Sequence, residues 1–205
     1  MSRGLGQAAL AIGSWYDLYR PAGVDRPLGE ERRVMRLLCA VSAGGPGFKR
    51  QAVPGKAEWY GVFDTAYARV GDYLVGAEGR FFVAAMAAMA ALVPPLLVRC
   101  DRVVDVKRPD TGVATGLLGY GGEGRGTLAP VLRGWPASVL AGRVSGVGGL
   151  PGDGRGAMWT VWLPVLPTHL RAGDLMEDEG GVRFVVAAAE VSGLGWRVMA
   201  RQAGV

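Results

Sequence analysis

Two stretches of this chain repeat one another in order, and that repetition limits what it can fold into. The segment from Val70 reads VGDYLVGAEGRFFVAAM, and the segment from Ala172 reads AGDLMEDEGGVRFVVAAA. Gly71 and Asp72 match Gly173 and Asp174 at an offset of 102, as does Gly79 with Gly181. One inserted residue, Val182, shifts the offset to 103. Arg80, Phe81, Val83, Ala84 and Ala85 then match Arg183, Phe184, Val186, Ala187 and Ala188. A tryptophan-led apolar segment precedes each copy, from Trp59 and from Trp159, and an arginine-bearing strand follows each, RCDRVVDVKR and LGWRVMARQ. Two unrelated hairpins could converge on such turn chemistry. The ordered identities across a single gap favour duplication.

The repeated unit reads as strand–turn–strand. Glycine tolerates positive φ, and an aspartate can bond a backbone N–H nearby, so Gly-Asp opens a tight turn. A short strand (DYLV, DLM) leads to an acidic, glycine-bearing turn (GAEG, EDEGG) and a strand of aromatic and β-branched residues. The 34 glycines and 12 prolines punctuate the whole chain, which indicates many turns and short elements. The expected fold class is all-β: two related small β-barrel or β-sandwich modules, a short N-terminal helix and long Gly-rich loops. The expected divisions are 1–58 (helix, arm and first strands), 59–108 (first β unit), 109–158 (Gly-rich connection with short strands TLAPVLRGW and WPASVLAGR) and 159–205 (second β unit). The run Gly146 to Gly156 reads as a mobile loop.

The run Phe81 to Val98, FFVAAMAAMAALVPPLLV, is long enough to suggest a membrane span. Pro94 and Pro95 would break such a helix, and the matching run of the second copy, FVVAAAEVSGLGWRVMAR, carries Glu190 and turn residues. A strand–loop–strand is therefore expected in both copies, with no membrane insertion. Matching Arg102 to Arg197 gives an offset of 95, so the first copy is expected to hold 8 extra apolar residues in its loop, around Met86, Met89, Leu92, Pro94 and Pro95. An enlarged apolar loop packs under its own domain or docks on a partner.

The 23 basic and 18 acidic residues give a net charge of +5. The arginines are scattered among acidic neighbours, unlike the clustered basic and aromatic residues of a nucleic-acid groove. Cys39 and Cys100 lie in apolar runs and read as buried thiols rather than a disulfide framework. With His169 the single histidine, a metal site is not expected. No GxxxxGK[ST] loop is present, GLGQAA lacks the preceding strand of a dinucleotide site, and GYGGEGRG reads as loop. The serines have no GxSxG context, and the acids Glu177 to Glu179 read as a solvated hairpin tip. No catalytic residue, metal ligand or cofactor is expected. Trp15, Tyr16, Tyr19 and Arg20 form an aromatic–basic cluster that suits either partner anchoring or capping of the first module's core.

The segments YDLYRP, WYGVFDTAYARVGDYLVGAEGRFFVAA, PLLVRCDRVV and GDLMEDEGGVRFVVAAAEVSGLGWRVMARQ carry a resemblance. The last is similar to the closing strands of small head–tail joining and tail-completion proteins of tailed bacteriophages. There a GD turn, an acidic hairpin and an arginine-rich strand close a β-barrel. The whole chain resembles structural proteins of tailed-phage and prophage gene clusters, at about twice the size of the small joining proteins. The resemblance implies a non-enzymatic virion protein, assembled in the bacterial cytoplasm as a ring-forming homo-oligomer at the neck or tail. Its implied partners are portal, adaptor or tail proteins, with DNA only as a channel-passing contact. Two other readings stay open: an OB-like nucleic-acid-binding barrel, and a membrane-associated protein acting through Phe81 to Val98.

Overall fold

The structure is a computed structural model describing residues 3–43, 56–87, 93–109, 128–142 and 158–203. The chain starts with α1 (Arg3–Ile12) and continues through β1 (Ser14–Tyr19), β2 (Arg33–Ser42), β3 (Glu58–Phe63), β4 (Tyr73–Gly76), β5 (Gly79–Ala85) and β6 (Leu96–Cys100). A second series follows: β7 (Arg102–Pro109), β8 (Leu128–Ala141), β9 (Met158–Leu163), β10 (Leu175–Asp178), β11 (Arg183–Ser192) and β12 (Gly195–Gln202). Each series closes into an antiparallel six-stranded barrel, ordered β1-β2-β3-β6-β5-β4 and β7-β8-β9-β12-β11-β10. The two orders are the same path through the same six positions. The all-β expectation holds, and so does the short helix.

The duplication is therefore larger than the repeated segments. Each copy is a whole barrel, residues 14–100 and 102–202, joined through the single residue Asp101. The expected divisions at 58/59 and 108/109 do not coincide with these units. Strand β7, read as the close of the first copy, opens the second barrel by pairing with β8 and β10. The stretches read as TLAPVLRGW and WPASVLAGR are one strand, β8. Gly134 at φ +66° and two register shifts absorb the Gly-Trp-Pro sequence without ending it.

Register also corrects the loop. Phe81 faces Arg99 and Phe184 faces Gln202; Trp59 faces Leu97 and Trp159 faces Ala200. The separation from Phe81 to Arg99 equals that from Phe184 to Gln202, so the first copy holds no extra residues there. Arg102 is not the counterpart of Arg197. It begins β7, and alignment of the two by their shared arginine crossed from one barrel into the next. Phe81 and Val98 lie in β5 and β6, and among the described residues no helix is long and apolar enough to cross a membrane. The run Gly146 to Gly156 lies outside the described residues.

Alternation places the cores. In β1, Tyr16 and Leu18 point into the first barrel beside Leu37, Phe63, Leu74, Phe81, Val83 and Leu97. The neighbouring residues Tyr73, Phe82, Ala84, Val98 and Cys100 face the other way and join the cluster of the second barrel. The outer face of β4, β5 and β6 is thus a seam against barrel two. Burying Tyr73 and Phe82 there stabilises the pair by ~1.5–3 kcal/mol per side chain.

Candidate partner interface

The seam is fixed by specific polar contacts. Tyr73 donates its hydroxyl to the Pro136 carbonyl at 2.8 Å, and its ring meets Trp135 edge-on at 6.3 Å. Asp101 N–H donates to the Ala137 carbonyl (3.1 Å), while its Oδ1 accepts from Val139 N–H (2.7 Å). The β1–β2 connection reaches across as a strap. Arg26 N–H donates to the Arg133 carbonyl (2.9 Å), and the Val24 carbonyl accepts from Arg133 N–H (3.0 Å) and Trp135 Nε1 (2.7 Å).

A second constellation occurs once per barrel. Arg20, at the end of β1, donates from Nε to Asp72 Oδ1 (3.0 Å), and from Nη2 to Asp72 Oδ2 and the Tyr67 carbonyl (both 2.8 Å). Arg108, at the end of β7, does the same to Asp174 (2.7 and 2.9 Å) and the His169 carbonyl (2.8 Å). Each aspartate also accepts a backbone N–H, from Arg69 or Arg171. The preceding glycines take φ +92° and +90°, which a side chain disfavours. The carboxylates hold Arg20 and Arg108 above the ordinary guanidinium range. This fork locks the first strand of each barrel onto the Gly-Asp turn.

The residues nominated for a partner surface separate accordingly. Tyr16 is fully buried inside barrel one; burial first, then the nearby Glu78, pushes its pKa up to about 12. Tyr19 is half-buried and packs against the seam cluster, and Arg20 is committed to Asp72. Met86 is half-buried against the barrel-one core. Pro94 is half-buried and Pro95 buried, its carbonyl accepting from Gly61 N–H at 3.0 Å. Met89 and Leu92 lie outside the described residues. Trp15 alone of the aromatic–basic cluster is open, at 54 % exposure. Its place in β1 explains this: Tyr16 and Leu18 take the inward positions, leaving Trp15, Asp17 and Tyr19 outward.

Around Trp15 lies a groove that sequence reading missed. The Arg36 guanidinium sits 5.5 Å above the indole, and α1 runs alongside with Leu10 at 70 % and Ile12 at 67 % exposure. A cavity of about 340 Å³ is bounded by Gln7, Leu10, Trp15, Arg36, Leu38 and Asp64. Ala9 turns inward on the same helix, Leu10 falls off that face one position on, and Ile12 is exposed at the helix end. The offset of Leu10 from the Ala9 face was the signal available in the sequence. An exposed tryptophan beneath an arginine, rimmed by aliphatics, is the composition of a protein-binding anchor.

The acidic hairpin turn of barrel two is less solvated than expected. Asp178 is buried and accepts from Gly180 and Val182 N–H (3.0 and 2.8 Å) as well as from Arg102. Glu177 bonds Lys107 at 3.0 Å, which holds its carboxyl below the usual range. These acids secure the turn against β7. Both cysteines are free and buried. Among the described residues no group of histidine, cysteine and acidic side chains could hold a metal. No family model, curated protein or solved structure compared with the chain matches it.

Proposed function

We propose that this chain is a structural component of a tailed-phage particle: an oligomeric neck or tail protein that acts by assembly and carries out no catalysis. The observation that carries the reading is the tandem duplication of an entire closed barrel, with one linking residue and a polar-pinned seam. Such a chain offers two rigid blocks of like shape in fixed relation, which suits building a ring or tube wall. The open Trp15–Leu10–Ile12 face supplies a place for a neighbour to anchor. Portal, adaptor and tail proteins are the partners this reading names, and DNA would meet it only in passing through the channel. The six strands of each barrel also depart from the five-stranded OB barrel of the nucleic-acid alternative.

The test is mass spectrometry and immunogold electron microscopy of particles purified from the phage or prophage that carries the gene. The chain should be found in fixed stoichiometry to the portal protein, with label at the neck or tail. Purified, complete particles that lack the chain would overturn the reading.

A further inference from the structure

The β1–β2 connection belongs to barrel one but lies on barrel two, at an irregularity that barrel one lacks. Between Val104 and Val106, β7 places one residue against two of β8, Arg133 and Gly134. The corresponding part of β1 and β2 stays in register from Ser14 and Cys39 to Leu18 and Met35. The extra residue in β8 makes a bulge. Gly134 takes φ +66°, and its N–H is held by Asp105 Oδ1 at 2.7 Å. Arg133 has no partner in β7, and the strap takes both of its main-chain groups. Its N–H donates to the Val24 carbonyl (3.0 Å), and its carbonyl accepts from Arg26 N–H (2.9 Å). Trp135 Nε1 gives the Val24 carbonyl a second hydrogen bond, at 2.7 Å. A closed barrel has no free edge; the bulge opens one a single residue long. It receives a carbonyl at one position of an extended segment and an N–H two positions on. Asp25, between them, lies 4.0 Å from the Arg133 guanidinium.

The strap is strained where it docks. Arg26 sits at φ +43°, alone among the described non-glycine residues in the left-handed region, where a side chain crowds the main chain. Val24, Asp25 and Arg26 are exposed, whereas Pro27 is buried and Leu28 packs against the seam cluster. We infer that residues 22–26 form a latch that opens while both barrels stay folded. The Arg133–Trp135 bulge that it uncovers is a binding port for extended peptide backbone, with the strap as its resident ligand. The three hydrogen bonds above hold the latch and the strain at Arg26 opposes them, which places it at the low-stability end of the fold. The ligand class follows from the port: an extended segment adding one parallel rung, with an acceptor carbonyl, an acidic residue and then an N–H. This inference does not depend on the assembly reading.

Hydrogen exchange on the full chain, read by nuclear magnetic resonance, tests the latch. Arg133 N–H and the Trp135 indole N–H should exchange through a local opening that urea barely affects. Val139 N–H, bonded to Asp101 at the seam, should exchange only with global unfolding. Arg26→Gly removes the strain and should slow the first two about 3–10-fold, net of the freedom glycine gains in the open strap. Arg26→Pro removes the N–H and fixes φ near about −65°, so it should open the latch with circular dichroism unchanged. A synthetic peptide of residues 21–29 should then bind the Arg26→Pro chain, shift the Arg133 and Trp135 resonances and slow their exchange. It should leave the wild type unchanged, and the same peptide with Arg26→Pro should bind neither chain. Arg133 and Trp135 protons that exchange only with global unfolding, in the wild type and in Arg26→Gly alike, would overturn the latch. A folded Arg26→Pro chain that ignores the peptide at millimolar concentration would overturn the port. Neither result touches the assembly reading, which the particle composition decides.

Discussion

Arg20 lies across Asp72 in the same fork that Arg108 makes to Asp174, down to the additional Nη2 bond each arginine gives a loop carbonyl at 2.8 Å. The two forks identify β1 with β7 and so extend the duplication from a hairpin to a whole barrel. They also predict a shared energetic role. Asp72 and Asp174 are nearly fully buried, while their arginines retain 30 % exposure. Removing either arginine strands a buried carboxylate, so Arg20→Ala and Arg108→Ala should each destabilise by ~2–4 kcal/mol, below the full penalty of a wholly buried pair. Urea unfolding measures this. A double-mutant cycle should give coupling within each fork, and additivity to within ~0.5 kcal/mol between the distant Arg20 and Asp174.

The Gly-Asp turns allow a cleaner test of backbone strain. A Cβ added at Gly71 or Gly173 meets nothing within 4 Å, so only the positive φ opposes it. Gly71→Ala and Gly173→Ala should each cost ~1–2 kcal/mol. Equal losses at the two sites support equivalent turns; a loss at one site alone argues against it.

Much of the strand content was legible, because YDLYR alternates, RVMRLLCAV is a short apolar run, and glycine marks the turns of the GD-led hairpins. Barrel closure was not, because it depends on pairings between distant segments: β1 with β4, and β7 with β10. Alternation within β1 shows two faces but does not say which strand lies alongside. One signal was present and unused. Arg20-Pro21 and Arg108-Pro109 repeat the same dipeptide, and the fork gives both arginines the same task. Of the nominated interface, Trp15 kept its exposure because its neighbours Tyr16 and Leu18 hold the inward positions. Arg20 read as an anchor because its partner stands 52 residues away.

The seam predicts coupled unfolding of the two barrels. Tyr73→Phe removes a buried hydroxyl bond to Pro136 and should cost ~1 kcal/mol. Tyr73→Ala also leaves a cavity, and should cost ~3–5 kcal/mol. Wild-type protein should unfold in one calorimetric transition, and Tyr73→Ala should broaden or split it. A split transition in the wild type would show that the seam does not couple the barrels.

The thiols set an alkaline limit. Burial, with Glu78 adding to it, pushes Cys39 from 9.0 to about 12, and burial raises Cys100 as well. Between those values the unfolded chain gives up the Cys39 proton while the folded chain keeps it. The stabilisation is complete below about pH 9 and falls by ~1.4 kcal/mol per pH unit as pH rises towards 12. Unfolding free energies across pH 8 to about 11 should show this decline with a further share from Cys100, and Cys39→Ala should make it shallower by the Cys39 share. Neither native thiol should react with a thiol reagent at neutral pH until urea opens the barrels.

The most direct measurement is an electron cryomicroscopy map of the intact particle carrying this chain. The account predicts a neck or tail ring in which each subunit contributes two adjoining six-stranded barrels. A complete map in which every ring is occupied by other chains would contradict it.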